Sequence, residues 1–250
     1  MWTAKAKDRL TGTRAEDAAR RLMRAVKPAP LSVPLAKAQL YDAQTAEVAR
    51  RVLGSGGNAI DVGANRGEIL REIISASPRG EHVAVEPLPR YAKGLRRKFP
   101  TVTVYEAALS DQPGTARFRR VIGAAEESSL DGLGHQVDGA PTEYFDVNVM
   151  TLDQVAPDPV HFVKIDAEHA EYQILLGADR VLAQRPVIAF ELGANQTKVW
   201  DLLTSRGYEL HRLFEWLHGD VPPARSIDEL RHGVVGEYFF LAVPSSPSRP

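Results

Sequence analysis

Short apolar runs alternate with amphipathic segments along most of the chain. The run at 59–62 ends in a Gly-rich turn, and a segment with apolar residues at helical spacing follows it. The same succession recurs further along the chain. It predicts strands at 59–62, 82–86, 101–105, 160–165, 187–191 and 208–213, with helices at 66–75, 89–98, 170–183 and 195–206. Alternating strands and helices are typical of an α/β domain with a parallel sheet.

Two stretches interrupt this alternation. Strand-like segments at 115–121 and 144–152 flank residues rich in Gly, Ser and acids, which predicts a hairpin with a mobile loop at 122–142, a candidate lid. Residues 214–236 form an irregular excursion before a last strand at 237–243. After so long a connection, we expect this strand to lie antiparallel beside its neighbours.

The N-terminal segment is basic and amphipathic. Residues 1–27 hold eight Lys or Arg and three Asp or Glu, a formal charge of +5, which leaves −6 for the rest of the chain. The apolar face of the predicted helix is thin because half of it is alanine. We expect it to dock on the body of the protein or on a second subunit, as in a homodimer; a membrane surface or an acidic partner is the alternative.

Prolines and glycines mark the predicted domain limits. Pro28, Pro30 and Pro34 predict a stiff linker, and a helix at 41–53 follows it. The prediction is a basic N-terminal helical arm with a Pro-rich linker at 1–37, a catalytic domain at 38–243 and a disordered tail at 244–250.

Composition excludes several classes of function. The chain has 250 residues, of which 44% are hydrophobic and 25% charged, as in an ordinary soluble protein. It has no cysteine, which excludes disulfides, thiolate metal sites and cysteine nucleophiles and agrees with the expected cytoplasmic location. The net charge of −1 argues against a nucleic-acid binder. No apolar run has membrane-spanning length.

The turn after the first strand carries the most specific motif, IDVGANRG at 60–67. A dinucleotide site requires G-x-G-x-x-G, but Asn65 and Glu68 stand where its second and third glycines would be. The pattern D-x-G-x-x-x-G resembles motif I of S-adenosylmethionine (SAM) methyltransferases instead. Asp61 suits a ligand with cationic sulfonium and amino groups. Glu86, at the end of the next strand, suits hydrogen bonds from ribose hydroxyls.

Later segments extend this resemblance in a fixed order. They are AVEP (84–87), AALSD (107–111), SSL (128–130), TLD (151–153), FVKID (162–166), Glu168, AE (170–171), LGA (176–178) and PVIAFE (186–191). Together with motif I, the series resembles the FkbM-type methyltransferase family over residues 58–192. The resemblance implies a class I SAM-methyltransferase (Rossmann-like) fold, with a mostly parallel seven-stranded sheet, helices on both faces and an antiparallel last strand. It also implies O-methylation of a hydroxyl on a small natural product, often a sugar or polyketide-type molecule.

One position departs from the family pattern. The family has K-I-D-x-E-G-A-E after the fourth strand, whereas His169 stands in place of the glycine. An imidazole therefore projects where the family has no side chain, so the shape of the family's pocket does not transfer directly.

Ligands of open α/β sheets bind at the carboxyl ends of the parallel strands. Asp61, Glu86, Asp166 and Glu191 each end an apolar run, so we expect them at this edge, where they require a cation, a hydrogen-bond donor or a metal. SAM supplies a sulfonium and an ammonium. The predicted cofactor-binding residues are Asp61, Gly63, Asn65, Gly67, Glu86, Ala108, Leu109, Ser110 and Asp166, with Glu86 on the ribose and residues 108–110 beside the adenine.

Methyl transfer to a hydroxyl requires in-line positioning and a base near the acceptor. The candidates for the base are His169, Asp166 and Glu168. His169 has the most suitable intrinsic pKa, although a solvent-facing residue at a helix start is an equally good interpretation. Lys164 lies two positions from Asp166 on a strand, so both face the same way and can pair, which would fix the carboxylate or polarise the acceptor.

The same region offers hard ligands for a metal. Asp166, Glu168, His169 and Glu191 could bind Mg²⁺, although nothing in the spacing requires it. The sequence therefore predicts a SAM-dependent O-methyltransferase of a small hydroxylated molecule. The alternatives are a carboxylate, an amine or a carrier-bound intermediate as acceptor, or a non-catalytic nucleotide-binding domain.

Overall fold

The computed structural model describes residues 33–122, 128–133, 141–193, 195–219, 221–231 and 239–245. The helices are α1 (Val33–Leu53), α2 (Glu68–Ala76), α3 (Pro89–Lys98), α4 (Leu152–Val155), α5 (Glu171–Leu176), α6 (Asp179–Ala183), α7 (Gln196–Ser205), α8 (Leu213–His218) and α9 (Ile227–Arg231). The strands are β1 (Ala59–Val62), β2 (His82–Val85), β3 (Thr103–Tyr105), β4 (Ala108–Leu109), β5 (Gly114–Val121), β6 (Ser129–Leu130), β7 (Thr142–Met150), β8 (Phe162–Ile165), β9 (Val187–Glu191), β10 (Tyr208–Arg212) and β11 (Phe239–Pro244).

The main sheet has seven strands in the order β10-β11-β9-β8-β1-β2-β3. Strand β11 pairs antiparallel with both β9 and β10, while the β1, β2, β3, β8 and β9 pairings are parallel. The predicted seven-stranded, mostly parallel sheet with a reversed last strand is therefore confirmed. Every residue of β1, β2 and β8 is buried, as expected of central strands covered on both faces.

A second sheet of four strands, in the order β4-β7-β5-β6, stands beside the main one. Strands β5 and β7 form the predicted antiparallel hairpin. The short strand β6 pairs with β5 inside the stretch that was predicted to be a mobile loop. Residues 123–127 and 134–140 of that stretch lie outside the described residues, so the lid stays a prediction.

The helices differ from the prediction in four places, one of which is α4, since Leu152 was expected at the end of a strand. Helix α1 begins at Val33 and includes Pro34, which the first turn of a helix tolerates, so Pro34 does not belong to an extended linker. The single helix predicted at 170–183 is two helices, α5 and α6, separated at Gly177. A Cβ on Gly177 would lie 2.5 Å from the carbonyl oxygen of Ser110, so the chain approaches too closely there for a side chain. The predicted irregular excursion contains α8 and α9.

The predicted domain limits stay predictions for most of their length. The basic arm, residues 1–32, lies outside the described part of the chain, and so do residues 246–250 of the predicted tail. Pro244 still belongs to β11, and the N–H of Ser245 donates to the carbonyl oxygen of Gly207 at 2.9 Å. No helix among the described residues is long and apolar enough to cross a bilayer.

Candidate functional site

The turn after β1 packs directly against the end of β8. Gly63 has φ +70°, and a Cβ on it would lie 1.8 Å from the carbonyl oxygen of Asp166. The N–H groups of Gly63 and Ala64 both donate to the carbonyl oxygen of Val85, at 3.0 and 3.1 Å. Only glycine satisfies both the left-handed backbone and the close approach, so this residue joins the ends of β1, β2 and β8.

Glu86 follows β2 and is buried. Its Oε2 accepts a hydrogen bond from the N–H of Asn65 at 2.8 Å, and its Oε1 accepts one from the N–H of Leu88 at 2.9 Å. Burial raises the pKa of Glu86 to about 7, against the effect of these two donors. Because each carboxylate oxygen accepts more than one hydrogen bond, the group can still receive ligand hydroxyls.

Lys164 is a cation among the carboxylates at the carboxyl edge of the main sheet. Its Nζ lies 3.2 Å from Oδ1 of Asp61 and 3.4 Å from Oδ2 of Asp166, and it donates to the carbonyl oxygens of Val62 and Gly63. Burial lowers the pKa of Lys164, but the two carboxylates raise it above its ordinary value. Burial likewise raises the pKa of Asp61, and Lys164 opposes that rise. The predicted Lys164–Asp166 pair is present, and Asp61 joins it.

A cavity with about 670 Å³ of empty space, including the part open to solvent, lies at this edge. Seven predicted site residues line it: Gly63, Asn65, Glu86, Ala108, Leu109, Asp166 and Glu168. Phe118 and Leu130 of the four-stranded sheet, and Ser128 just before β6, also line it. Sequence reasoning gives Phe118 no role and places Ser128 and Leu130, from the SSL segment of the family pattern, in the predicted lid.

Other predicted residues lie away from the cavity wall formed by the described residues. Asp61 and Lys164 are buried beneath it. A Cβ on Gly67 would lie 2.5 Å from the ring of Phe99, so this glycine permits the start of α2 to pack closely on the end of α3. The hydroxyl of Ser110 donates to Asp111 at 3.0 Å.

Three carboxylates meet at the ends of β8 and β9. One oxygen each from Asp166, Glu168 and Glu191 lie within 4.8 Å of one another. Burial and the negative charges of Asp166 and Glu168 together raise the pKa of Glu191 to about 10. This environment favours the protonated form of Glu191, which can donate a hydrogen bond to Asp166. This group contains three of the four predicted metal ligands; His169 contributes no atom to it.

His169 occupies a left-handed position, with φ +76°. This backbone explains why the family pattern has glycine there. Its Nδ1 would lie 2.6 Å from a Cβ on Gly193, so the ring lies against the segment after β9. Among the described residues that line the cavity, Asp166 and Glu168 are therefore the candidate bases, whereas His169 is not part of the wall.

Comparison with known proteins agrees with this architecture. A family model described as the methyltransferase FkbM domain matches residues 61–219. The chain is similar to the solved structure of methyltransferase FkbM from Methylobacillus flagellatus KT, with 15% identity, a TM-score of 0.48, and 79% of this chain aligned with 50% of that one. This chain thus spans half the length of that protein.

Two further solved structures are similar in fold. Precorrin-6y C5,15-methyltransferase from Geobacter metallireducens GS-15 has 18% identity and a TM-score of 0.44, with 82% of this chain and 87% of that chain aligned. A TehB-like SAM-dependent methyltransferase from Corynebacterium glutamicum ATCC 13032 Kitasato has 14% identity and a TM-score of 0.42, with 93% and 98% aligned. No curated protein matches the chain. Because the family model covers more than half of the sequence, the chain belongs to the FkbM methyltransferase family.

Proposed function

We propose that this protein is a SAM-dependent O-methyltransferase that methylates a hydroxyl of a small molecule, such as a sugar or another natural product. One observation carries the proposal. The residues suited to hold SAM (Gly63, Asn65 and Glu86) line the same cavity as two carboxylates suited to the acceptor, Asp166 and Glu168. Donor and acceptor can therefore meet in one cavity.

The cofactor half of the cavity has distinct polar and apolar parts. Glu86 would accept hydrogen bonds from the ribose hydroxyls, and the Gly63 turn would lie beside the methionine part of SAM. Ala108, Leu109 and the apolar side chain of Phe118 line the same cavity and would offer a surface for the adenine. Buried apolar walls with few polar groups are typical of nucleotide pockets.

The reaction moves one methyl group and one proton. If bound, SAM would supply the methyl group: the acceptor oxygen would bond to the methyl carbon as the carbon–sulfur bond breaks, and its electron pair would stay on sulfur as a neutral thioether. The acceptor proton passes to a carboxylate. Asp166 and Glu168 are the proposed proton acceptors because they line the cavity, and Lys164 holds Asp166 in place.

A divalent cation is an alternative way to activate the acceptor. Oxygen atoms of Asp166, Glu168 and Glu191 are the hard ligands that Mg²⁺ prefers, and their spacing is compatible with one ion. If Mg²⁺ were bound, it would lower the pKa of an acceptor hydroxyl. An amine acceptor would also suit this acidic group, whereas a carboxylate acceptor would be repelled by it.

Calorimetric titration with SAM and with NAD tests the cofactor assignment. SAM binding without NAD binding is the expected result; binding of NAD alone would contradict the proposal. A panel of hydroxylated, amino and carboxylic acceptors should then be screened for release of S-adenosylhomocysteine, with Mg²⁺ and with EDTA. Turnover of a hydroxylated acceptor in EDTA would exclude the requirement for a metal.

The location and partners are part of the same proposal. We infer a cytoplasmic enzyme, since SAM is supplied there and the chain has no cysteine. The net charge of −1 favours a small acceptor over a nucleic acid. The basic arm at 1–27 would contact a second subunit or an acidic partner, and its deletion should weaken that association; unchanged association would exclude the role.

A further inference from the structure

The connection between β8 and α5 holds an unusual backbone. Glu168 and His169 are consecutive non-glycine residues with positive φ, +48° and +76°. Such conformations persist only where the surrounding structure holds them. This connection begins with Asp166 and includes Glu168, the two carboxylates that line the cavity. Whatever fixes the backbone here also fixes the positions of both groups.

Glu171, the first residue of α5, is fully buried directly behind this turn. Its Oε1 accepts a hydrogen bond from the N–H of His169 at 3.2 Å. The N–H groups of Ala167 and of Glu171 itself also act on the same carboxylate. The side chain therefore folds back onto the backbone on both sides of Glu168.

The second oxygen of Glu171 lies toward the segment after β9. It would be 2.9 Å from a Cβ on Gly193, and Nδ1 of His169 would be 2.6 Å from the same point. Glu171 therefore stands between the left-handed turn and the chain that continues from Glu191. Glu171 contacts the backbone that carries Asp166 and Glu168. It does not line the cavity, whose wall contains Ala170 but not Glu171.

We infer that Glu171 is a positioning residue, which fixes the left-handed turn at 168–169 and so holds Asp166 and Glu168 in register with the methyl donor. The inference rests on the proposed methyl transfer. The carboxylate is needed because its negative charge strengthens the hydrogen bonds that the backbone N–H groups donate to it. A glutamine of the same size keeps an acceptor oxygen but lacks this charge.

The charge of Glu171 sets the conditions of the test. Burial raises its pKa to about 7, while the backbone donors oppose the rise. Experiments at pH 8 therefore compare a mostly ionised carboxylate with the neutral amide of Glu171→Gln. Asp179→Asn is the matched control, because Asp179 is also an acidic first residue of a helix, but its side chain is 72% exposed.

Hydrogen–deuterium exchange of the full-length protein tests the turn without any ligand. In Glu171→Gln, the peptide that contains Ala167 and His169 should exchange about tenfold faster, whereas Asp179→Asn should leave it unchanged. Isothermal titration with SAM should give a Kd within about twofold of wild type, because Glu171 does not line the cavity whereas Gly63 and Glu86 do. With an acceptor identified by the screen, kcat should fall by about tenfold to a hundredfold.

Glycine at position 169 provides a rescue that a purely global defect would not show. Glycine adopts φ +76° without support, so the turn should depend less on Glu171 in a His169→Gly background. The fold loss in kcat from Glu171→Gln should therefore be smaller there than in wild type. Three results would each overturn the inference. The first is an equal loss of kcat from Glu171→Gln in both backgrounds, and the second is wild-type exchange at 167–169 in Glu171→Gln. The third is a loss of SAM affinity in Glu171→Gln as large as its loss of kcat. Failure of the wild-type protein to bind SAM would instead contradict the proposed function. The exchange experiment needs no ligand, so it would still show whether Glu171 fixes the turn.

Discussion

The Nζ of Lys164 lies 3.2 Å from Oδ1 of Asp61, and their side chains are 5% and 1% exposed. The two residues are direct partners in the pairing of β1 with β8. Part of the charge compensation that the carboxylate edge requires is therefore built into the sheet. Asp61 pairs with Lys164, which in turn donates to the carbonyl oxygen of Gly63. Glu86, Asp166 and Glu168 line the cavity.

Replacement of Lys164 by methionine should strongly destabilise the protein. The change leaves Asp61 buried without its cation, and breaking a buried pair in this way costs about 3–5 kcal/mol. Urea denaturation at pH 7 measures the free energy of unfolding. Adding Asp61→Asn to Lys164→Met should recover part of the loss, because the second change removes the uncompensated charge.

Arg50→Met is the control for this prediction. Arg50 pairs with Glu72 at the surface, where its side chain is 47% exposed, so the change should stay within about 0.5 kcal/mol. A Lys164→Met protein as stable as wild type would contradict the role given to the buried pair. A double variant that shows the sum of two separate losses would contradict it as well.

Two glycines with left-handed backbones allow the energetic cost of the backbone conformation to be measured separately from the cost of a close contact. Gly63 has φ +70° with the Asp166 carbonyl against it, whereas Gly54 has φ +53° and nothing within 4 Å of the position of a Cβ. Gly54→Ala should cost about 1 kcal/mol, the ordinary penalty for a left-handed alanine. Gly63→Ala should cost at least about 3 kcal/mol and abolish detectable SAM binding, because the β1 turn must move.

Denaturation of both variants and calorimetry with SAM provide the measurements. Equal losses of stability in the two alanine variants would show that the contact between Gly63 and Asp166 has no energetic effect. Normal SAM affinity in Gly63→Ala would separate this turn from the cofactor site.

The sequence predicts the parts of the site that follow from strand ends. Asp61, Glu86 and Asp166 lie at the carboxyl edge because each stands at or near the end of an apolar run that forms a parallel strand, and Gly63 follows the first of these runs. The pairing of Lys164 with Asp61 was not predicted. It depends on β8 being the neighbour of β1, a non-local relation that hydrophobic periodicity does not contain.

Short elements and close approaches account for the other differences. Strand β6 has two residues, too few for a periodic pattern, so the sequence places Leu130 in a loop over the site rather than in a strand of the cavity wall. The close packing of Gly67 on Phe99 is also invisible to periodicity, and its place in the cofactor site stays a prediction. The break at Gly177 depends on Ser110, which is distant in sequence.

SAM affinity should rise with pH through the ionisation of Glu86. In the ligand-free protein its pKa is about 7, above the ordinary 4.5, so the protonated form dominates below neutrality. The ionised form is the stronger acceptor for ribose hydroxyls. Between pH 6 and pH 8 the ionised fraction grows about tenfold, so the Kd for SAM should fall by about the same factor.

In the ligand-free protein, the contribution of Glu86 to folding stability falls as pH rises, which is opposite to its effect on SAM affinity. A raised pKa stabilises the folded state fully below the unfolded value of 4.5, and this contribution is lost as pH rises through 7. Calorimetry at pH 6, 7 and 8 measures the binding effect, and Glu86→Gln is the control, since it retains any titration of SAM itself. A wild-type Kd that changes with pH no more than that of Glu86→Gln would contradict the assignment of Glu86 to the ribose.

His169→Gly tests whether the imidazole takes part in the chemistry or only occupies the turn. Removing a β-carbon from a backbone at φ +76° should raise the free energy of unfolding by up to about 1 kcal/mol, less whatever the ring contributes through its contacts beside Gly193. Because the ring lies outside the cavity wall, kcat should fall by less than about tenfold. Loss of a general base would instead cost about 10²–10⁴-fold.

Glu168→Gln, which removes a carboxylate from the wall, should show the larger effect when both variants are assayed with one acceptor at pH 8. A loss of kcat in His169→Gly that exceeds the loss in Glu168→Gln would return the role of base to the histidine.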